Sequence, residues 1–560
     1  MRITTLTSRA AIATLALLAL GAPAADRFDP STNLLELDTI AVGSASYRQV
    51  RVTVNAYTLL GVDGGNAQPN RFDTTSQLLS LGAISYLGQT YNNVRAQIDR
   101  YTVLSATAEG IGSNYITSRA IIQPTLGASV PAKGESRIDP VTGVRITRLT
   151  DVKDFGGATN NALIVYSRYS PESSDGKYVL IHGYDSNSSW VVERETFKVI
   201  SELKGEDGYR IGENQEVRWD YTGSHPKRVY FRKGMKFYQI DDISSPLTTR
   251  SLVKDFSSIS PNSTEILNDV EGDSTSDSDH WIFMARRYDT GLGRNVVDMF
   301  IHFQKSTGLV HTLKPSDLDA APASAQKERG LVRTSKGTAF VVPNMVDMAP
   351  DGSGIVLLFA AYQSPIGWFD RPHLWPLDLD WQKKTPLLIG MHENHSGWAF
   401  GADGRAMFVI QNSSTDNLDA SYTTGANAGH QNVVEVAKHG DFGWENGFHY
   451  GRMPLSRKGW IFVNTYATEN TSGWANNQMF MIQTKPKAST PKVWRIGPNY
   501  NAYRTDPGNG EKTYREEAPA AINLFGNRIY VGINWGGQLD HLEVFQFDLP
   551  DNWTEAPELQ

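Results

Sequence analysis

Apolar and polar residues alternate along short runs of the chain, the period of a strand half buried on a sheet. Val50, Val52 and Val54 stand between polar neighbours, and Val94, Ala96 and Ile98 repeat the pattern 44 residues later. The same offset sets Leu34, Leu35 and Leu37 on Leu78, Leu79 and Leu81, Tyr47 on Tyr91, and Tyr57 on Tyr101. So many coincidences at one offset mark a duplication. Residues 26–110 therefore read as a small β domain of two similar units.

Residues 111–138, rich in Gly, Ser, Pro and Lys, read as a linker. From residue 139 a coarser unit recurs, in which a polar turn opens an apolar strand. The turns are Asp175-Gly176, 223–227, 276–279, Asp351-Gly352, Asp403-Gly404, 457–459 and Gly526-Asn527. The strands behind them are 178–181, 228–231, 281–285, 355–359, 406–410, 460–463 and 528–533. Spread over 139–550, each unit has about 59 residues, somewhat more than the roughly 40–45 of a four-stranded propeller blade. With no long helical period, the expectation is an all-β chain, a seven-bladed β-propeller preceded by the duplicated β domain. The apolar run 144–149 is placed to close the ring.

Composition narrows the function. The 560 residues contain no cysteine, 53 Lys plus Arg and 60 Asp plus Glu, for a net charge of −7, and no long basic cluster. Nucleic acid is therefore disfavoured as a partner. Arg2 and Arg9, an apolar stretch over 10–20 and Ala22-Pro23-Ala24 have the layout of a secretory signal peptide, residues 1–24. Its removal would leave −9 and a protein exported to the periplasm or beyond. No later stretch is long and apolar enough to be a membrane-spanning helix. Without cysteine, stability rests on packing, and any metal would need His or carboxylate ligands.

Candidate chemistry lies in the loops ahead of the turns. His392 and His395, in Met-His-Glu-Asn-His-Ser-Gly-Trp, precede the fifth turn, and His449, in Gly-Phe-His-Tyr-Gly, precedes the sixth. Loops at one end of a propeller converge on its axis, so such histidines, with Glu517, could hold one divalent metal, Ca, Mn or Zn. Any one of them alone reads more readily as a surface or blade-edge histidine bonded to a backbone carbonyl. Tyr166-Ser167-Arg168-Tyr169 sets a guanidinium between two phenols. Arginine binds carboxylates, and a tyrosine with a depressed pKa can act as base or acid. The competing reading is an aromatic strand with a paired arginine. Glu216, Glu271 and Asp273 hold comparable positions, as do Arg515, Glu516 and Glu517. Trp398, Trp444, Trp474 and Trp535 are either a sugar-stacking platform or packing between blades.

In order along the chain, Gly-Val-Arg-Ile-Thr-Arg-Leu-Thr-Asp at 143–151, Tyr-Ser-Arg at 166, Glu-Gly at 271, His-Ser-Gly-Trp at 395, Phe-His-Tyr at 448 and Asn-Trp-Gly at 534 resemble the seven-bladed propeller polysaccharide lyases. Ulvan lyases are the nearer likeness, oligogalacturonate lyases the more remote, over about 139–550. The resemblance implies β-elimination on an anionic, uronate-containing polysaccharide or oligosaccharide, with Arg168 on the uronate carboxylate and His395 and His449 as pocket or metal histidines. Tyr166 and Tyr169 complete that catalytic set, and Trp398, Trp535 and Glu271 would contact the glycan. The chain departs from the pattern at Tyr169 and Val191, where ulvan lyases carry histidines, at Glu517-Ala518-Pro519, and at Pro343-Asn344-Met345, where Pro-x-His is expected. Those departures leave Tyr169 as a candidate base. They also keep open a propeller that binds glycan or protein without cleaving it.

Overall fold

The computed structural model describes residues 26–42, 45–73, 76–109, 119–121, 129–139, 142–205, 208–318, 331–363, 367–376, 387–388, 393–412, 415, 417–426, 428–429, 432–467, 473–484, 492–502, 514–550 and 553–555. The expected signal peptide lies outside them, as do His392 and most of the expected linker. Among the described residues the fold is all-β, and the one α-helical turn is Pro315–Leu318.

Strands β1 (Arg27–Asp29), β2 (Leu34–Val42), β3 (Ala45–Val62), β4 (Arg71–Asp73), β5 (Leu78–Tyr86) and β6 (Gln89–Glu109) form one sheet in the order β1-β2-β3-β6-β5-β4. Its register repeats with the sequence. Arg27 faces Glu36 across β1 and β2, and 44 residues on Arg71 faces Ser80 across β4 and β5. Ile40 opposite Tyr47 recurs as Ile84 opposite Tyr91. Where β3 meets β6, Val54 pairs with Tyr101 and Tyr57 with Ile98, so the offset exchanges the two strands. The sheet thus has an internal two-fold relation. Alternation places Leu35, Leu37 and Val54 with Leu79, Leu81 and Ile98 on one buried face.

Half of that face rests on the segment that follows. β7 (Ser136–Ile138) and β8 (Arg145–Arg148) form an antiparallel pair. Ile138 packs against the apolar face, and the Arg137 guanidinium lies 5.9 Å from the Tyr101 ring centre. The Tyr47 hydroxyl donates to the Gly143 carbonyl.

Seven further antiparallel sheets follow among the described residues, in a propeller-like arrangement. Each begins with a strand near the centre: Ala162–Leu163, Arg218–Trp219, Glu265–Leu267, Val346–Met348, Glu393–Phe400, Asn446–Tyr450 and Ala520–Ile522. The apolar runs behind the seven turns are the second strands, from Tyr178–Gly183 in the first sheet to Arg528–Ile533 in the last. They read as continuous hydrophobic runs because both of their faces pack on neighbouring sheets. Aromatic rings fill these interfaces; Trp281 of the third sheet, for example, lies 5.2 Å from Tyr230 and 4.7 Å from Phe237 of the second.

The last sheet takes its outer strand from the start of the ring. β8 pairs with Glu543–Asp548, and the Arg145 Nε donates to Asp548 at 2.8 Å. A second link sits beside it. Glu172, fully buried, accepts from Arg528 at 2.8 and 2.6 Å, from the Tyr530 hydroxyl and from Asn523, joining the first sheet to the seventh.

Candidate functional site

The first strands and the loops beside them bring polar side chains from all seven sheets toward the axis. Arg168, from the loop after Ala162–Leu163, donates to Asp347 of the fourth sheet at 3.1 Å and to Ser396 of the fifth at 2.5 Å. Its Nη1 also reaches Glu271 of the third sheet at 3.2 Å. Arg452, following the first strand of the sixth sheet, donates to Asp273 of the third at 2.7 Å. These two arginines run across the ring and fill its centre with charge pairs in place of hydrocarbon.

Asp347 is the hub. It also accepts from the Trp398 indole at 2.7 Å and from the backbone N–H groups of Asp273 and Met348 at 2.8 and 2.9 Å. Burial raises its carboxyl above the ordinary range, opposed by Arg168 and Arg452. Arg218, the third buried guanidinium, lies 3.6 Å from the Tyr169 ring centre and donates to the carbonyls of Val270 and Gly272.

The bend that presents Glu271 is strained. Asp269 and Val270 both adopt left-handed backbone, φ 59° and 70°, which is costly for a β-branched valine. Glu216 holds the bend by accepting from the N–H groups of Asn268 and Val270. Burial works to raise the Glu216 carboxyl, but Arg232, Arg218 and the Val270 N–H bring it below its usual range. Asp269 responds the other way, with burial and the neighbouring Glu216 charge lifting it to about 6.

That shift carries a prediction. Because the folded form holds its proton more tightly than the unfolded form, stability contributed by protonated Asp269 is lost as pH rises from about 4 to 6. Asp269→Asn should therefore stabilise the chain above pH 6, by up to about 3 kcal/mol, with the gain shrinking toward pH 4. Relief of backbone strain alone would be independent of pH, so unfolding midpoints at pH 4 and pH 7 separate the two.

On the other side of Arg168 lies a histidine pair. The ring centres of His395 and His449 are 4.8 Å apart, and Tyr466 lies 4.9 Å from His449 and Tyr166 5.7 Å. Burial lowers both imidazoles to about 3, with His449 adding to the effect on His395. Both are neutral at ordinary pH. Neither ring nitrogen of buried His449 has a hydrogen-bond partner, although Nε2 lies 3.4 Å from Glu517. Glu271 is raised by burial, opposed by Arg168 and by a hydrogen bond from Tyr166.

The structure thus brings Tyr166, Arg168, Glu271, His395, His449 and Glu517 into one region. Other expectations are corrected. Trp398 and Trp535 are fully buried, one bonded to Asp347 and the other stacked between Tyr500 and Phe545 at 4.7 and 5.1 Å, so neither offers a face to a sugar. Trp444 is exposed, but it packs beside His439, away from this region. Tyr169 does not have the depressed pKa expected of a base, since burial pushes it far above its ordinary value and Arg218 only partly opposes this. Tyr169→Phe, which removes a buried hydroxyl without a partner, should therefore leave any activity within about twofold and stability unchanged or slightly raised. Loss of activity with an intact fold would restore Tyr169 to the chemistry.

The metal expectation meets a mixed arrangement. His449 Nε2 and Glu517 Oε2 stand at the spacing of two ligands on a tetrahedral ion with bonds of about 2.1 Å. Yet among the described residues no three His, Asp or Glu side chains gather in a form that could hold an ion.

Asp347, Ser396, Arg218, Arg452 and Tyr221 were not singled out by sequence. Their signal is positional, each lying on or beside the first strand of a sheet. Tyr221 donates to Asp273 at 2.7 Å, completing the polar centre.

Comparison with known proteins gives no family model that matches and no curated protein that matches. Solved structures similar to this chain include the oligogalacturonate lyase of Vibrio parahaemolyticus, at 10% identity and a TM-score of 0.45 over 75% of this chain and 97% of that one. The Dos1 propeller matches at 10% identity and a TM-score of 0.38, over 90% of this chain and 96% of that one. Hydrazine synthase of Kuenenia stuttgartiensis matches at 10% and 0.37, over 68% and 95%.

Proposed function

We propose that the chain is an exported, seven-bladed, polysaccharide-active propeller preceded by a duplicated β module, and that it cleaves a uronate-containing polysaccharide by β-elimination beside the His395–His449 pair. The observation that carries this reading is His449, a buried neutral imidazole whose two nitrogens have no hydrogen-bond partner. Such unpartnered buried nitrogens cost stability and mark a functional site, and the Glu517 carboxylate 3.4 Å from Nε2 would stabilise the imidazolium once a proton is taken.

The neighbouring groups suit the remaining steps. On Arg168, Asp347 is fully buried, whereas the Glu271 side chain is 19% exposed. A substrate carboxylate can exchange with Glu271 on the guanidinium, since both are carboxylates meeting the same donor. His449 would then take the C5 proton as the C4–oxygen bond breaks and the C4–C5 double bond forms. Displaced from Arg168, Glu271, which burial raises against the hydrogen bond from Tyr166, would take up a proton from solvent and give it to the leaving oxygen, and His449 would afterwards release the C5 proton to solvent. No step requires a metal.

The test is to incubate the purified chain with pectate fragments, ulvan, alginate and glycosaminoglycans, with and without chelator, and follow the ultraviolet absorbance of the new double bond. A rise on one polymer is expected, and a neutral glucan should give none. A second reading, a binding propeller without catalysis, is favoured by one observation: Arg168, Arg218 and Arg452 all already face carboxylates. Measurable binding to a polymer with no absorbance change would select it.

A further inference from the structure

The two-fold relation within the N-terminal sheet gives it two equivalent halves of one apolar face, and among the described residues only one half is covered by the segment that follows. Offset by 44 residues, buried Tyr101 corresponds to Tyr57, which is 44% exposed, and buried Val42 to Tyr86, which is 36% exposed. Phe72 packs edge-on against Tyr101 at 5.3 Å, and its counterpart Phe28 packs the same way on Tyr57 at 5.7 Å. The two pairs are alike in geometry and differ in cover. Over the first lie Ile138 and the Arg137 guanidinium, while Tyr47 is tied to the Gly143 carbonyl.

At the open half the face sinks into a cavity of about 490 Å³, rimmed by Phe28, Tyr57, Leu59, Val62, Tyr86 and Tyr91. Exposed large apolar side chains concentrate there. Tyr57, Leu59, Val62 and Tyr86 are each at least 36% exposed and line the cavity. A contiguous apolar patch of this kind on a chain without a membrane-spanning helix among its described residues marks an interaction surface.

We infer that this open half is a docking site for an extended peptide segment of a partner protein carrying an arginine followed by an aliphatic residue. The covered half supplies the template, since the chain's own Arg137-Ile138 pair occupies the equivalent place. An aliphatic side chain would enter the cavity as Ile138 packs on the covered half, and a guanidinium would lie over the Tyr57 ring as Arg137 lies over Tyr101. The clustered aromatic rim is the composition of a binding hot spot. A helix, about 10–12 Å across, could seat only about one turn in this volume, which favours an extended segment. A second copy of the chain is a poorer occupant, because its matching segment is already held under its own sheet.

The test uses the full-length chain and a fluorescent peptide with the sequence of residues 133–144, followed by anisotropy. Saturable binding is expected, weakened at least tenfold by Tyr57→Ala and by replacing the arginine and isoleucine of the peptide with serine. Tyr101→Phe on the covered half should leave it unchanged. Absence of peptide binding, or binding insensitive to Tyr57→Ala, would overturn the inference. Concentration-dependent dimerisation abolished by Tyr57→Ala would replace it with a second copy, and uptake of a long-chain fatty acid without peptide binding would replace it with a small apolar ligand. None of these outcomes depends on the lyase activity.

Discussion

Asp347→Ala is expected to destabilise the folded chain by about 3–5 kcal/mol, the largest effect of any single change at the axis. The carboxylate is fully buried and accepts from Arg168, the Trp398 indole and two backbone N–H groups drawn from the third and fourth sheets. Removing it leaves a buried guanidinium with less compensation and orphans three N–H donors at once. Because Arg168 spans three sheets, the loss should be felt around the ring as well as locally. The measurement is the denaturant midpoint, read by tryptophan fluorescence, since Trp398 is itself a donor to this carboxylate. A shift equivalent to less than 1 kcal/mol would show that the axis tolerates the loss and that Arg168 finds another partner.

His449→Phe is expected to separate chemistry from packing. The substituted ring keeps its edge and face contacts with Tyr166, His395 and Tyr466. It removes two buried nitrogens whose lack of hydrogen bonds costs about 1–3 kcal/mol each. Stability should therefore hold or rise, while the elimination rate on the responsive polymer falls by about 10²–10⁴ if His449 is the proton acceptor. Retained activity in a stabilised variant would remove His449 from the mechanism. A structural histidine would show the reverse, lower stability with activity reduced only in proportion to folded protein.

The strands were legible in the sequence because their burial is periodic. In the N-terminal unit one face is buried, and Val50, Val52 and Val54 alternate with polar neighbours. In the ring the second strands are buried on both faces and appear as apolar runs behind polar turns. The histidine pair was also legible, because His395 and His449 sit at like distances ahead of such turns. Asp347 was not, since Val-Asp-Met has no motif and its partners lie 51 residues away at Trp398 and 179 residues away at Arg168. The misreading of the tryptophans has the same origin. A Trp on or just beyond a blade strand looks identical in sequence whether its ring faces a pocket or a neighbouring sheet. Tyr169 was misjudged because the sequence reveals neither Arg218 nor the desolvation that outweighs it.

The strand that closes the ring has a bearing on when this protein can become complete. Arg145 and its partner Asp548 are separated by 403 residues. At a synthesis rate of about 5–20 residues per second, β8 waits roughly 20–80 s for the strand it joins. During that interval the growing chain has an unpaired sheet edge and six sheets with no seventh to seal them. Contacts this distant in sequence also slow the final step once the chain is whole. The nascent chain therefore stays an open arc until its last hundred residues have emerged, a state in which a holding chaperone has a long opportunity to bind.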